Sequence, residues 1–198
     1  MLFRSKTTFL RLLLIRLYSD GGWAAILAPE EYIQLFRFTI EYLHSKGMTN
    51  FLAAYSPDRN FQTEEEYLTL YPDDDIVDIL GIDNYWDLQS PEGRRDAIKK
   101  LEIVANYALK TGKIAAFTET GSDKLLNDKW FTEMLGYVLN ASSLTRQIVY
   151  VMVWPNHDLS HFYVPYPEHP AAVNFRTFTD QQHVWLLNEW VSFVEAKE

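Results

Sequence analysis

The chain contains no cysteine among its 198 residues. That excludes disulfides, thiolate metal sites and a cysteine nucleophile, and it leaves the compartment open, since secreted proteins can also lack disulfides. Basic charge is scarce: 18 Lys and Arg against 27 Asp and Glu give a formal net charge of −9. With no basic stripe to displace counterions, a nucleic-acid backbone is not expected as a partner. Long apolar runs are missing too. Leu12-Leu13-Leu14-Ile15 is bracketed by Arg11 and Arg16, too short to span a bilayer and a poor match to the apolar core of a signal peptide. No membrane association is expected. No Gly-x-Gly-x-x-Gly follows any apolar segment, which weakens a dinucleotide reading; no cofactor is expected.

Aromatic residues are plentiful. Twelve Tyr, 12 Phe and 6 Trp make 15% of the chain, enough to furnish a core and to offer flat faces for sugar rings or other planar ligands. The length suits one domain with a sizeable core.

From residue 29 onward the chain alternates. Pro29-Glu30-Glu31 opens a helix with proline early and acids where the dipole favours them, and Tyr32, Leu35, Phe36, Ile40 and Leu43 form its apolar stripe. Residues 50–55 read as a buried strand. Thr63-Glu64-Glu65-Glu66 is a capping box for a short helix. Ile76 to Ile82 predicts a strand, and Ser90-Pro91-Glu92 starts a helix lined by Ala97, Leu101, Val104, Ala105 and Ala108 that Gly112 ends. A strand through Ile114-Ala115-Ala116-Phe117 delivers Glu119, then a helix covers 130–139, a strand 148–154, a loop rich in proline and aromatics 163–167, and a last helix about 181–195. Helix followed by four βα units predicts a parallel sheet covered by helices, half of a (β/α)8 barrel.

Each predicted strand ends in groups that can do chemistry: Tyr55-Ser56, Asp83-Tyr85-Trp86, Glu119, and Trp154-Asn156-His157. If the strands are parallel, these converge on one rim. Glu119 is either a helix-capping or satisfied rim acid, or a catalytic carboxylate. A carboxylate beside a tyrosine hydroxyl and a tryptophan face suits a sugar subsite, and glycosidases need two such acids. His157, Asp158 and His161 lack a convergent third ligand type and read as loop polar residues, so no metal is expected. Tyr163 and Tyr166 either line a groove or pack over the sheet end.

Several long segments carry a family resemblance. Residues 71–85 (Tyr71-Pro72-Asp73 through Ile82-Asp83-Asn84-Tyr85), Thr118-Glu119-Thr120-Gly121 and Val153-Trp154-Pro155-Asn156 resemble glycoside hydrolase family 26, which is mainly endo-β-1,4-mannanases with some β-glucanases and xylanases. Tyr55-Ser56-Pro57-Asp58 and Phe162-Tyr163-Val164-Pro165-Tyr166-Pro167 extend the similarity. It runs from about residue 23 to 180. The resemblance implies a retaining TIM-barrel hydrolase of β-linked polysaccharide, mannan first, acting outside the cytoplasm or at the cell surface. It casts Glu119 as nucleophile, Tyr85 as the tyrosine that orients it, and Trp154 as the sugar platform. Asp83, Trp86, Asn156, Tyr55 and Trp23 are the further positions expected at the substrate.

Two departures stand out. Pro155 occupies a position where the family commonly has an arginine. The family also places a His-Glu pair, which supplies the general acid/base, after a Phe-Arg-Pro-like segment that Phe3-Arg4 resembles. Between Phe3-Arg4 and Trp23 there is no Glu and no His; the acid/base is not found. The expectation is therefore the second half of a barrel (about strands five to eight) over residues 23–198. Residues 1–22 would be a divergent segment holding a stub of strand four at Leu2-Phe3-Arg4, read out of frame or rearranged from about residue 5. The open strand edges of a half barrel predict self-association.

Overall fold

Four near-continuous apolar segments, each followed by an amphipathic one, force buried strands to share a sheet that helices cover. In the computed structural model, which describes residues 11–14 and 28–195, five strands lie side by side in chain order. They are β1 (Arg11–Leu14), β2 (Phe51–Tyr55), β3 (Ile79–Leu80), β4 (Ile114–Thr120) and β5 (Ile148–Val153). Every neighbouring pair is parallel. Strict chain order is how a (β/α)8 barrel winds; a doubly wound sheet reverses at a switch point.

The helices are α1 (Pro29–Ser45), α2 (Glu64–Tyr67), α3 (Arg94–Thr111), α4 (Tyr137–Leu139), α5 (Ala172–Thr179) and α6 (Leu187–Glu195). Their starts follow local chemistry. Glu31 Oε2 accepts from the Ala28 N–H at 2.9 Å ahead of α1, and the Thr63 hydroxyl caps α2 by accepting from Glu66 N–H at 3.2 Å. Gly112 ends α3 in the left-handed region at φ 70°, a conformation that costs glycine nothing.

The two faces of the sheet differ. Ala53, Tyr55, Leu80, Ala115 and Phe117 join the main core with helix residues such as Phe36, Leu101, Val104 and Met134. On the other face Ala54, Ile79 and Ala116 form a separate small cluster with Leu52 and Tyr150. Period-two alternation along each strand produces this division.

Several expectations shift. The short run at Leu12–Leu14 is a strand, paired with β2 in the register Leu12↔Leu52, Leu13↔Ala53, Leu14↔Ala54. Leu2-Phe3-Arg4, where a strand stub is expected, and Trp23 lie outside the described residues. The strand expected over Ile76–Ile82 forms a ladder only at Ile79–Leu80. Beyond it the Tyr67 hydroxyl donates to Gly81 O at 3.0 Å, and Ile82 O accepts both the Thr118 hydroxyl at 2.9 Å and the Glu119 backbone N–H at 3.3 Å. Trp130–Gly136 is wound as a π-helix that runs into α4. The last helix, expected over about 181–195, is α6, which starts six residues later at Leu187, and α5, which was not expected, precedes it.

Candidate active site

β4 carries the site. Ile114 at its start is exposed and the next six residues are buried, so the strand brings Glu119 to the sheet end at only 5% exposure. Lateral pairing continues past the ladders there: Asp83 bridges Glu119 on one side and Asp58 on the other. Three neighbouring strand ends thus present Asp58, Asp83 and Glu119 in a row.

The Glu119 carboxylate is held by a specific partner. Tyr85 Oη donates to its Oε1 at 2.6 Å, within the short range of charge-assisted O–H···O bonds. The backbone before Tyr85 is fixed to β4: Asn84 N–H donates to Glu119 O at 3.0 Å, and the Thr120 hydroxyl donates to Asn84 O at 2.9 Å. Beneath, the hydroxyls of Ser56 and Thr118 bond to each other across the sheet.

Around this pair opens a cleft of about 590 Å³, whose lining includes Trp86, Trp154, Tyr163 and Asp123. That volume lies in the range of small-ligand sites. Trp86 is 70% exposed, with the Arg59 guanidinium over its ring at 5.4 Å. Asp123 Oδ1 lies 3.2 Å from His161 Nδ1. The Tyr163 hydroxyl titrates above its ordinary value, first because it is desolvated and then because Asp123 and Glu119 face it. An acidic floor with exposed aromatic walls can hold a neutral polyol: indole faces cover apolar ring faces, and carboxylates accept hydroxyl protons.

Five of the residues singled out by sequence meet here: Asp83, Tyr85, Trp86, Glu119 and Trp154. Tyr55 does not, and that expectation is corrected. It lies between Ala54 and Ser56 on the opposite face of β2, buried at 1% exposure, its hydroxyl donating to Tyr67 O at 2.6 Å. Asn156 is likewise not among the cleft-lining residues. Its carboxamide organises the following loop, donating to Val164 O at 2.7 Å and accepting from Tyr163 and Val164 N–H at 2.9 Å each. Tyr163 lines the cleft, whereas Tyr166 packs on Phe162 and His169. Gly121 and four polar residues, Asp58, Arg59, Gln89 and Asp123, complete the lining without having been singled out as site residues. All four follow strand ends, where polar side chains are candidates by position alone.

The fold is one side of a TIM-type barrel, with a carboxylate, tyrosine and tryptophan set at the carboxyl ends of its strands. A sequence model of glycosyl hydrolase family 26 matches residues 20–143. The structure of GH26C from a Muricauda species superposes with a TM-score of 0.82 at 34% identity, covering 90% of this chain and 50% of that one. A GH26 beta-mannanase from Bacteroides ovatus gives 0.81 at 32%, covering 89% and 52%. A mannan endo-1,4-beta-mannosidase of Bifidobacterium adolescentis is 29% identical over 205 residues, 89% of this chain and 20% of that protein. The chain belongs to glycosyl hydrolase family 26. It spans about half the length of the solved structures it matches and about a fifth of that mannosidase.

Proposed function

We propose that the cleft is a glycosidase site of the retaining β-mannanase type, with Glu119 as its nucleophile. The observation that carries this reading is the buried Glu119 carboxylate at the end of β4, accepting a 2.6 Å hydrogen bond from Tyr85. In such a site a carboxylate oxygen attacks the anomeric carbon, the glycosidic bond breaks, and a glycosyl ester forms that water then hydrolyses. Tyr85 fixes the rotation of the carboxylate and stabilises its anion. Trp154 serves as the platform for the sugar being cleaved; Trp86 and Asp83 hold neighbouring parts of the chain. Relatives named for mannan favour that polymer over β-glucan or xylan. A polymer substrate calls for action outside the cytoplasm.

Retention also needs a second carboxyl group about 5–5.5 Å away to protonate the leaving oxygen. Among the described residues the other acids lining the cleft are aspartates 58, 83 and 123, and no second glutamate lines it. Between Phe3-Arg4 and Trp23, where the family resemblance puts a His-Glu pair with the acid/base, there is no Glu and no His, and the chain is therefore proposed to cleave natural mannan poorly. An aryl mannoside with a dinitrophenolate leaving group needs no protonation and should still load Glu119. The same lack of a second glutamate favours a second reading, a carbohydrate-binding remnant without catalysis.

Rates on the two substrates separate these. Dinitrophenolate release that is abolished by Glu119→Ala, with little reducing sugar from mannan, supports the nucleophile. Mannan retardation in affinity electrophoresis with no release from either substrate supports the binding remnant.

A further inference from the structure

Lys100 lies on the wrong face of its helix. Its neighbours on the buried side of α3 are Ala97, Leu101, Val104, Ala105 and Ala108, and an ammonium among them must be paired to be tolerated. Its partner is Asp87: Nζ lies 2.5 Å from Oδ2, with side-chain exposures of 3% and 6%. A buried pair of this kind contributes little net stability, because desolvation consumes most of the attraction, and well-packed apolar residues often replace such pairs without loss. What the pair can supply is a fixed geometry.

The geometry leads to the site. Asp87 Oδ2 also accepts from Asn84 Nδ2 at 2.8 Å, and Asp87 N–H donates to Asn84 Oδ1 at 3.1 Å. Asn84 in turn is bound through its backbone to Glu119 and Thr120 of β4. Tyr85 sits inside this clamp, one residue after Asn84 and two before Asp87. A second strap, the Gln89 carboxamide, donates to Tyr85 O at 2.7 Å and Gly121 O at 3.1 Å.

We propose that the buried Lys100–Asp87 pair is a positioning device: through Asn84 it holds the turn that aims the Tyr85 hydroxyl at Glu119. Lys100 and Asp87 touch no substrate; they act through Tyr85. The catalytic consequence rests on Glu119 being the nucleophile, whereas the positioning itself does not.

The test replaces the tyrosines by 3-fluorotyrosine and follows the fluorine signal of Tyr85, identified by its loss in Tyr85→Phe and its displacement in Glu119→Gln. Two variants remove the clamp: Lys100→Met, and the pair Asp87→Leu with Lys100→Met, which leaves no lone buried charge. Lys110→Met, on the same helix but paired with Glu64 at 2.8 Å, is the control. The expected result is a Tyr85 signal displaced or split in both clamp variants and unmoved in the control. In parallel, covalent labelling by a fluorinated aryl mannoside should slow by about ten- to a hundredfold in its maximal rate, with the half-saturating concentration unchanged.

A Tyr85 signal unmoved in folded clamp variants overturns the proposal. So does failure of both variants to fold, which would make the pair a requirement of the fold. Absence of any label on Glu119 in the unaltered chain would sink the nucleophile, while the fluorine spectra would still decide the positioning.

Discussion

At the scale of single residues, Tyr85 is the group through which the surroundings reach Glu119. Tyr85→Phe keeps the ring that packs edge-on against Tyr163 at 5.8 Å and removes one hydrogen bond to a charged group, worth about 1.5–3 kcal/mol. It should slow dinitrophenolate release about tenfold or more and lower the melting temperature by only a few degrees.

Other tyrosines lie in the core, and their hydroxyls respond to alkali. Burial holds Tyr32 up at about 12, and Tyr55 and Tyr67 are also raised, first by desolvation. Their pKa values are higher folded than unfolded. The stability they contribute is therefore complete below the unfolded value of about 10 and is lost as pH rises through the folded values. Stability measured by denaturant unfolding should be flat just below pH 10 and fall between about pH 10 and 12. Tyrosinate absorbance from these three should appear together with loss of circular dichroism. Ionisation ahead of unfolding would show that they are less buried than described.

At the scale of elements, the chain just after β3 lies close against β4. A methyl group on Gly81 would overlap the Thr118 side chain, one residue before Glu119. Gly81→Ala should cost about 1–3 kcal/mol through overpacking, seen as a lower melting temperature, and should also slow labelling because the displaced strand carries the nucleophile.

Strong periodicity and caps made much of this level legible in the sequence. The Thr63 cap and the Gly112 stop lie where their residue types put them, and so does the α1 stripe except for Leu35, which is exposed while Tyr32, Phe36 and Ile40 are buried. What was not legible depended on partners distant in sequence. Past β3 the Gly81 and Ile82 carbonyls also accept the hydroxyls of Tyr67 and Thr118, which no local window contains. α5 carries a readable stripe, Ala171, Ala172, Phe175 and Phe178, but begins directly after a Tyr-Pro-rich loop that masks it. Tyr55 was readable in principle: alternation with Ala54 and Ser56 puts it on the helix side. Lys100 was readable as well, a lysine three residues from Ala97 and four from Val104.

At the scale of the whole molecule, the exposed edge of the sheet matters most. β5 is apolar yet only partly covered, with Val149 at 71% exposure, and among the described residues no strand pairs its outer edge. Trp185, Trp190 and Phe193 form a second exposed aromatic group by α6. Unpaired apolar edges recruit other chains. Light scattering should find dimers or larger species, and Val149→Lys should shift them toward monomer; a stable monomer before substitution would contradict this.

One carboxylate, Glu119, carries the proposed chemistry. Incubation of the chain with a fluorinated dinitrophenyl β-mannoside, followed by peptide mass spectrometry, tests it most directly. The predicted result is a single glycosyl adduct on the peptide carrying Glu119, lost in Glu119→Gln. An adduct on another residue, or one that persists in Glu119→Gln, would contradict it.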